Sequence, residues 1–112
     1  YYNWGCGKPY SRLRDSLNYR LDLQVVAVAA DGTYASYCGM WFDRVNRLAY
    51  VEPVCTDPDF RRLGLGRACV LEGVRRCALL GADRAIVGST MEFYRSMGFE
   101  QTDLWRVWVL EA

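Results

Sequence analysis

The sequence contains no histidine, and none of its five cysteines forms a C-x-x-C pair. A zinc site and a Cys-His or Ser-His nucleophile normally depend on one of these features, so we expect no metal and no such nucleophile. The odd number of cysteines is typical of buried, reduced thiols, which predicts a cytoplasmic protein.

The chain also lacks a strong charge and a long hydrophobic run. Its net charge is +1, which gives no general attraction to nucleic acid or to an anionic membrane surface. No apolar run approaches the roughly 20 residues that span a bilayer, and no signal-peptide pattern opens the sequence. We therefore expect neither nucleic acid nor a membrane as a partner. The 112 residues, 52% of them hydrophobic, predict one domain over 1–112 with a packed core.

The first half of the chain has the alternating pattern of an antiparallel meander. Asp31-Gly32 is typical of a type I′ turn, and "DRVNR" predicts the second turn. Pro53 cannot donate to a strand ladder, so it predicts a bulge or a point where pairing stops. The predicted strands cover 23–30, 33–42 and 48–56.

The second half alternates between helices and strands. A helix is predicted over 64–80, where Glu72 and Arg76 form an i,i+4 pair and Gly81 ends the helix. A second helix over 91–97 is predicted to be capped by Thr90 and ended by Gly98. The remaining elements are strands within 83–88 and over 104–110, and a short helix near 11–18. This order predicts an α+β fold with a mixed, largely antiparallel sheet and flanking helices.

The glycines of "RRLGLGR", residues 61–67, stand where a helix should begin. A dinucleotide fingerprint would need a third glycine at Cys69, and a P-loop would need Gly-Lys-Ser/Thr, so neither pattern fits. Two interpretations remain. The glycines serve a turn and close helix packing by Gly66 and Gly73, or they allow an anion to approach the backbone.

The anion interpretation rests on several coincident features. A helix N-terminus offers unpaired N–H groups and about half a positive charge. Glycines at that end allow a phosphate to come close to the backbone. Arg61, Arg62 and Arg67 add positive charge in the same place, although they also suit a solvated helix start. The arrangement predicts a binding site for a diphosphate.

These residues carry a resemblance to a known family. Residues 61–66 resemble the R/Q-x-x-G-x-G/A motif of the GNAT N-acetyltransferase superfamily, which also follows a strand and opens a helix. "YRSMGF", residues 94–99, resembles the family's Y-x-x-x-G-F segment, at the usual separation from the first motif. The resemblance extends over about 23–110 and implies a GNAT-like fold.

The resemblance also implies roles for particular residues. Tyr94 matches the tyrosine that often protonates the departing CoA thiolate, and Glu52 lies where family members often carry a base. Tyr50 shares a strand face with Glu52 and is also expected at the acceptor channel. The resemblance implies that two segments bind acetyl-CoA. The strand end binds the pantetheine arm through Val54, Cys55 and Thr56. The following loop binds the pyrophosphate and consists of Arg61, Arg62, Leu63, Gly64, Leu65, Gly66 and Arg67.

Other interpretations of these residues remain open. Tyr94 is equally suited to packing a short helix, and Glu52 to a solvated or salt-bridged position on a strand. The tryptophans Trp41, Trp105 and Trp108 are expected in the core or at an interface. The family's Asn and Ala, seven and four residues before the tyrosine, correspond here to Val87 and Thr90.

The fold is expected to be shortened at its N-terminal end. Only 22 residues precede the first predicted strand, whereas the family places a strand and two helices there. Because the chain begins with Tyr1 and not Met, either it is a fragment of a longer product or a partner chain supplies the missing wall. An unpartnered apolar edge strand favours pairing with a second copy, so we expect a homodimer.

The resemblance implies an enzyme that uses acetyl-CoA as cosubstrate. The expected reaction is direct attack of a primary amine, on a small molecule or a peptide, upon the acetyl thioester. The alternative is a GNAT-like module that binds acyl-CoA or a protein partner without turnover.

Overall fold

The computed structural model describes residues 16–102 and 108–111. Four strands form one sheet in the order β1-β2-β3-β4, in which the first three are antiparallel and β4 runs parallel to β3. The predicted meander and the α+β class are therefore confirmed. The strands are β1, Gln24–Val28; β2, Tyr34–Asp43; β3, Leu48–Thr56; and β4, Arg84–Ile86.

The first hairpin turn differs from the predicted type. Its φ is positive only at Gly32, whereas a type I′ turn needs positive φ at both central residues. The Gly32 N–H instead donates to the Ala29 carbonyl (2.9 Å), and the Asp31 carboxylate accepts from Thr33 N–H (2.9 Å). This Asx-type contact holds Asp31 out of the left-handed region, so the connection is longer than two residues and β1 ends at Val28.

Pro53 interrupts the pairing of β3 as the sequence predicted. The register between β2 and β3 shifts at Gly39, because Cys38 pairs with Val54 and Met40 pairs with Val51. A Cβ on Gly39 would lie 3.0 Å from both Pro53 Cδ and the Glu52 carbonyl oxygen, so only glycine fits opposite the proline.

One long helix, α1 (Leu65–Leu80), covers one face of the sheet. Gly64 precedes it and Gly81 ends it, both with positive φ, and Glu72 pairs with Arg76 at 2.9 Å as predicted. Gly73 lies against Met40: a Cβ there would be 2.6 Å from Met40 Cγ. The buried residues of the helix recur at spacings of three and four and form one face towards the sheet: Gly66, Cys69, Val70, Gly73 and Cys77.

The last helix, α2 (Glu92–Arg95), is shorter than predicted. Thr90 is not its cap, because the helix begins after Met91, whose N–H donates to Ser89 Oγ (3.2 Å). Gly98 follows with φ 105°, as expected of a stop residue.

Two further sequence predictions fall wholly or partly outside the described residues. In the strand predicted over 104–110, residues 104–107 lie outside them, and 108–110 form no strand. In the helix predicted near 11–18, residues 11–15 lie outside them, and 16–18 form a bend and turn.

Candidate functional site

Strand β3 pairs with β4 over only part of its length. The parallel pairs are Leu48–Arg84, Ala49–Ala85 and Tyr50–Ile86, and within the described residues the rest of β3 has no partner on that side. The two strands therefore separate just before Pro53. The separation leaves an open backbone edge along Val54, Cys55 and Thr56, which the resemblance assigns to the pantetheine arm.

The direction in which the N–H and C=O groups at the end of β3 point follows from the hydrogen bond of the next residue, Asp57. Asp57 N–H donates to the Ala35 carbonyl (2.9 Å), so the backbone of Asp57 is turned towards β2. Main-chain groups alternate in direction along a strand. Those of Val54 and Thr56 are consequently turned away from β2, towards the open side. The Thr56 carbonyl accepts a long hydrogen bond from Arg61 Nε (3.4 Å), which agrees with that direction.

The loop after β3 turns its N–H groups outwards. A 3₁₀ turn, Pro58–Phe60, is capped by the Asp57 carboxylate, which accepts from Asp59 N–H (2.9 Å). Then φ is positive at Arg62 (64°) and at Gly64 (78°), and not at Leu63 between them. Such an alternation of sign directs successive N–H groups into one concavity, the arrangement called an anion-binding nest. Within the described residues, no main-chain N–H from 61 to 67 donates to a protein acceptor.

Three arginines add positive charge around this loop. None of Arg61, Arg62 and Arg67 forms an ion pair with a described carboxylate, and all three are exposed. The Arg67 guanidinium donates through Nη1 to the Ser96 carbonyl (3.1 Å), so its charge is held between the start of α1 and the end of α2. An anion bound at the N–H groups would be the natural counter-charge.

The first sequence motif meets helix α2 and the end of β3 at Gly66. A Cβ built on this glycine would lie 3.3 Å from Phe93 Cζ and 3.2 Å from Thr56 Oγ1. The end of β3, the first turn of α1 and helix α2 are thus in contact around one residue without a side chain. Gly66 is therefore needed for close packing. A Cβ on Gly64 would meet nothing within 4 Å, so glycine is needed at 64 because the backbone there is left-handed.

A buried serine, which sequence patterns did not single out, supports this junction. Ser36 is 3% exposed, and its hydroxyl donates to the Cys55 carbonyl (3.1 Å) and lies 2.8 Å from the Thr56 hydroxyl. The two contacts fix the last residues of β3. The only available signal was a hydroxyl residue within an otherwise apolar strand segment.

Tyr94 lies on α2, on the α1 side of the sheet. Its side chain is 9% exposed, and its ring forms edge contacts with Phe93 (4.9 Å between centroids) and Phe99 (5.7 Å). Burial, and then the neighbouring Cys38 thiol, raise the pKa of its phenol, so the hydroxyl stays protonated at neutral pH. No described residue is hydrogen-bonded to this hydroxyl, and its oxygen is not among the fully buried unpaired atoms, so its proton is available to a ligand.

Glu52 lies on the opposite face of the sheet. Ala49 and Val51 are buried beneath α1, so the alternating residues Tyr50 and Glu52 face the other side. Burial, and next the Glu52 carboxylate, raise the pKa of the Tyr50 phenol. The Tyr50 hydroxyl reaches past the end of β4, because a Cβ on Gly88 would lie 3.3 Å from it. Tyr50 therefore stands at the rim of the gap between β3 and β4.

The structure brings some of the predicted residues together and keeps others apart. The strand end, the loop and α2 form one continuous region on the α1 side. Glu52 and Tyr94, the two residues expected to handle protons, are on opposite faces. The gap beyond Tyr50 and Ile86 is where the two faces adjoin. A bound thioester would have to lie in that gap for both residues to reach it.

The described residues contain neither a membrane-spanning helix nor a cluster of metal ligands. No helix among them is long and apolar enough to cross a membrane. No group of three or more His, Cys, Asp or Glu side chains in the described ranges is arranged to hold a metal ion.

Comparison with known families agrees with this geometry. The acetyltransferase (GNAT) family model matches residues 2–99. The chain belongs to the GNAT acetyltransferase family. The match begins at residue 2 and ends at 99, whereas the sequence resemblance was placed at about 23–110. The resemblance is confirmed; the N-terminal shortening of the fold stays a prediction. A search of curated proteins found no match.

Several solved structures share the fold. An acetyltransferase of Trypanosoma brucei is 20% identical, with TM-score 0.61 over 77% of this chain and 66% of its own. A glucosamine-6-phosphate N-acetyltransferase of Arabidopsis thaliana is 18% identical, with TM-score 0.66 over 93% and 76%. A Mycobacterium tuberculosis protein solved in complex with CoA is 23% identical, with TM-score 0.62 over 70% and 48%. The chain thus spans slightly less than two thirds of the first of these and about half of the last.

Proposed function

We propose that this GNAT domain binds acetyl-CoA and transfers the acetyl group to a primary amine. The observation that carries the proposal is the run of N–H groups over 61–67, which has no acceptor among the described residues and lies beside three arginines that no described carboxylate pairs. The pyrophosphate of the cosubstrate suits this cradle. The open edge at Val54 and Thr56 suits the pantetheine arm, whose amides need strand-like partners. A structural neighbour solved with CoA supports the choice of ligand.

The proposed chemistry needs two proton transfers. An aliphatic ammonium of pKa about 10.4 must lose a proton before it attacks, which costs about 4–5 kcal/mol at pH 7. We assign that proton to Glu52, directly or through water, on the face opposite α1. The amine nitrogen then forms a bond to the thioester carbon, and the main-chain N–H groups of the open edge of β3 stabilise the oxyanion.

The second transfer occurs as the intermediate collapses. The C–S bond breaks, and the Tyr94 hydroxyl donates its proton to the leaving thiolate from the α1 side. Because the pKa of Tyr94 is raised, its phenol is protonated at neutral pH when the C–S bond breaks. Positioning of the two reactants across the gap supplies several kcal/mol more, as is usual for reactions that join two bound partners.

The described cysteines, Cys38, Cys55, Cys69 and Cys77, are all free thiols. Unpaired thiols favour a reducing compartment, so we place the reaction in the cytoplasm.

A binding module without turnover is the second candidate, because Tyr94 is buried among aromatic rings while Glu52 is exposed on the other face. One experiment separates the two. Purified protein is incubated with acetyl-CoA and a panel of amines, free thiol is followed with a chromogenic disulfide, and CoA binding is measured in parallel. The enzyme requires amine-dependent thiol release. CoA binding with no release above buffer for any amine would favour the module, and the absence of CoA binding would refute both the enzyme and an acyl-CoA-binding module.

A further inference from the structure

The face opposite α1 carries a carboxylate between two aromatic side chains. Trp41 and Tyr50 are directly paired across β2 and β3, and Glu52 follows on the same face of β3. The Trp41 indole N–H donates to the Glu52 carbonyl (3.0 Å), which holds the indole beside that residue. We call Trp41, Tyr50 and Glu52 the aromatic-acid notch.

Among the described residues, the carboxylate of the notch has no cationic partner. Glu52 is exposed, and none of the ion pairs among the described residues involves it. The nearest basic residue on this face of β4 is Arg84. Arg84 pairs with Leu48, which lies two residues before Tyr50 on β3, whereas Glu52 lies two residues after Tyr50. The negative charge at the notch is therefore not paired by any cation in the described part of the chain.

The aromatic side chains give that charge a specific use. An ammonium group is attracted to an indole or phenol face by the ring quadrupole, and a neighbouring carboxylate adds a direct ion pair. Both rings are only partly buried, so part of their surface faces solvent. The notch adjoins the gap between β3 and β4, because the Tyr50 hydroxyl lies over Gly88.

We propose that the aromatic-acid notch binds the acceptor as an aliphatic ammonium, and that Trp41 determines this specificity. The acceptor class is a primary amine on an unbranched alkyl arm, such as a diamine or a lysine side chain. An amine that carries a phosphate or carboxylate close to its nitrogen is disfavoured, because that anion would face Glu52. The proposal that the notch binds the amine rests on the proposed acetyl transfer only in calling that amine the acceptor. Binding of the amine to the notch can be measured without acetyl transfer.

The test uses cadaverine as the probe and two readouts. The first is the ¹H–¹⁵N signal of the Trp41 indole, which cadaverine should shift, whereas pentanol, which lacks the ammonium groups, should not. Glucosamine 6-phosphate should shift this signal only at much higher concentration. The second is the dissociation constant of cadaverine from calorimetry, which needs neither the indole nor turnover, together with the KM for cadaverine in the thiol-release assay.

Substitutions then separate a binding role from a structural one. Trp41→Leu removes the ring, and a cation–π contribution at a partly exposed site corresponds to about a 2–5-fold rise in the dissociation constant and in KM, with little change in kcat. Trp41→Phe retains a ring and should restore most of the affinity. Tyr34→Leu removes an exposed ring from the same strand and should change nothing. Each variant is first shown to be folded by its thermal transition.

The outcomes distinguish this inference from the proposed function. If Trp41→Leu binds cadaverine as wild type does, or glucosamine 6-phosphate binds equally well, the notch is not the acceptor site even if amines are acetylated. If cadaverine shifts the indole signal and Trp41→Leu weakens cadaverine binding, the notch is an amine-binding site. If no thiol is released in the same experiments, the proposed acetyl transfer is wrong while the amine-binding site is confirmed.

Discussion

Gly66 lies directly against Phe93, with only 3.3 Å between the position of a Cβ on the glycine and Phe93 Cζ. The contact joins the first turn of α1 to α2. It explains why a glycine stands at this helix start in addition to Gly64. Any side chain at 66 would move the helix that carries Tyr94, or the Thr56 hydroxyl on the other side.

Gly66→Ala should weaken CoA binding at nearly unchanged stability. The added methyl forces shifts of a few tenths of an ångström in Phe93 or Thr56, while the helix gains about 1 kcal/mol of propensity. Gly73→Ala is the matched control: its Cβ would lie 2.6 Å from Met40 Cγ, so overpacking of about 1–3 kcal/mol should lower stability. CoA affinity of folded Gly73→Ala should equal that of wild type. Calorimetry and urea unfolding measure the two effects, and equal loss of affinity in both variants would contradict the assignment.

Tyr94→Phe should lower turnover and leave the fold intact. The hydroxyl has no partner among the described residues, so its removal leaves no buried group unsatisfied, and the rings of Phe93 and Phe99 keep their contacts. Loss of a general acid typically costs about 10²–10⁴-fold in kcat, with little change in KM. Steady-state kinetics with thermal unfolding provides the check. A variant that keeps its rate per folded molecule would make Tyr94 a packing residue.

The protein should lose stability at alkaline pH because of Cys38. Burial raises the pKa of this thiol from 9.0 to about 12. The unfolded chain releases the proton first, so the contribution is complete below pH 9 and is lost as the pH rises from 9 to 12. At pH 10 the loss from this group is about 1.4 kcal/mol. Urea unfolding at pH 7.5 and 10 should show a smaller difference for Cys38→Ala than for wild type. An identical difference in the two proteins would show that the thiol ionises equally in both states.

The edge strand β1 should mediate self-association. Within the described residues it pairs only with β2, and Val28 on it is exposed. Unpaired backbone and apolar side chains favour pairing with a second copy. Sedimentation equilibrium should show a dimer that Val28→Lys weakens, with Val45→Lys, an exposed valine in the next hairpin loop, as control. A wild-type monomer at high concentration would refute the prediction.

Local patterns were sufficient to predict most of the fold. The alternation of apolar and polar residues predicted the meander. The bounds of β3 match the prediction because Pro53 marks where its pairing changes and Asp57-Pro58 marks where its pairing ends. The turn type and the cap of α2 were wrong. Both depend on which neighbouring oxygen accepts a given N–H, as Asp31 and Ser89 show, and that choice depends on three-dimensional geometry.

The candidate site was predictable only where it follows a motif. The loop over 61–67 was located from its glycines and arginines, although Gly64 and Gly66 turned out to have different tasks. Ser36 was missed because its role comes from a cross-strand contact with Thr56. Trp41 was expected in the core or at an interface, and its place beside Glu52 depends on the bulge register, which no local pattern reveals.

The most direct test of the account is a calorimetric titration of CoA into wild type, Gly64→Ala and Gly32→Ala. Both glycines have positive φ (78° and 89°) and open space at the Cβ position, so alanine imposes the same kind of backbone strain at each. Left-handed backbone costs an alanine about 1–2 kcal/mol, so a displaced loop at Gly64→Ala should weaken CoA about 5–30-fold. ADP, which carries the pyrophosphate, should show the same loss of affinity for Gly64→Ala. Pantetheine, which lacks the pyrophosphate, should bind Gly64→Ala as tightly as it binds wild type. Gly32→Ala should bind all three ligands as wild type does. Equal affinity of all three proteins for CoA and ADP would contradict a pyrophosphate site on this loop.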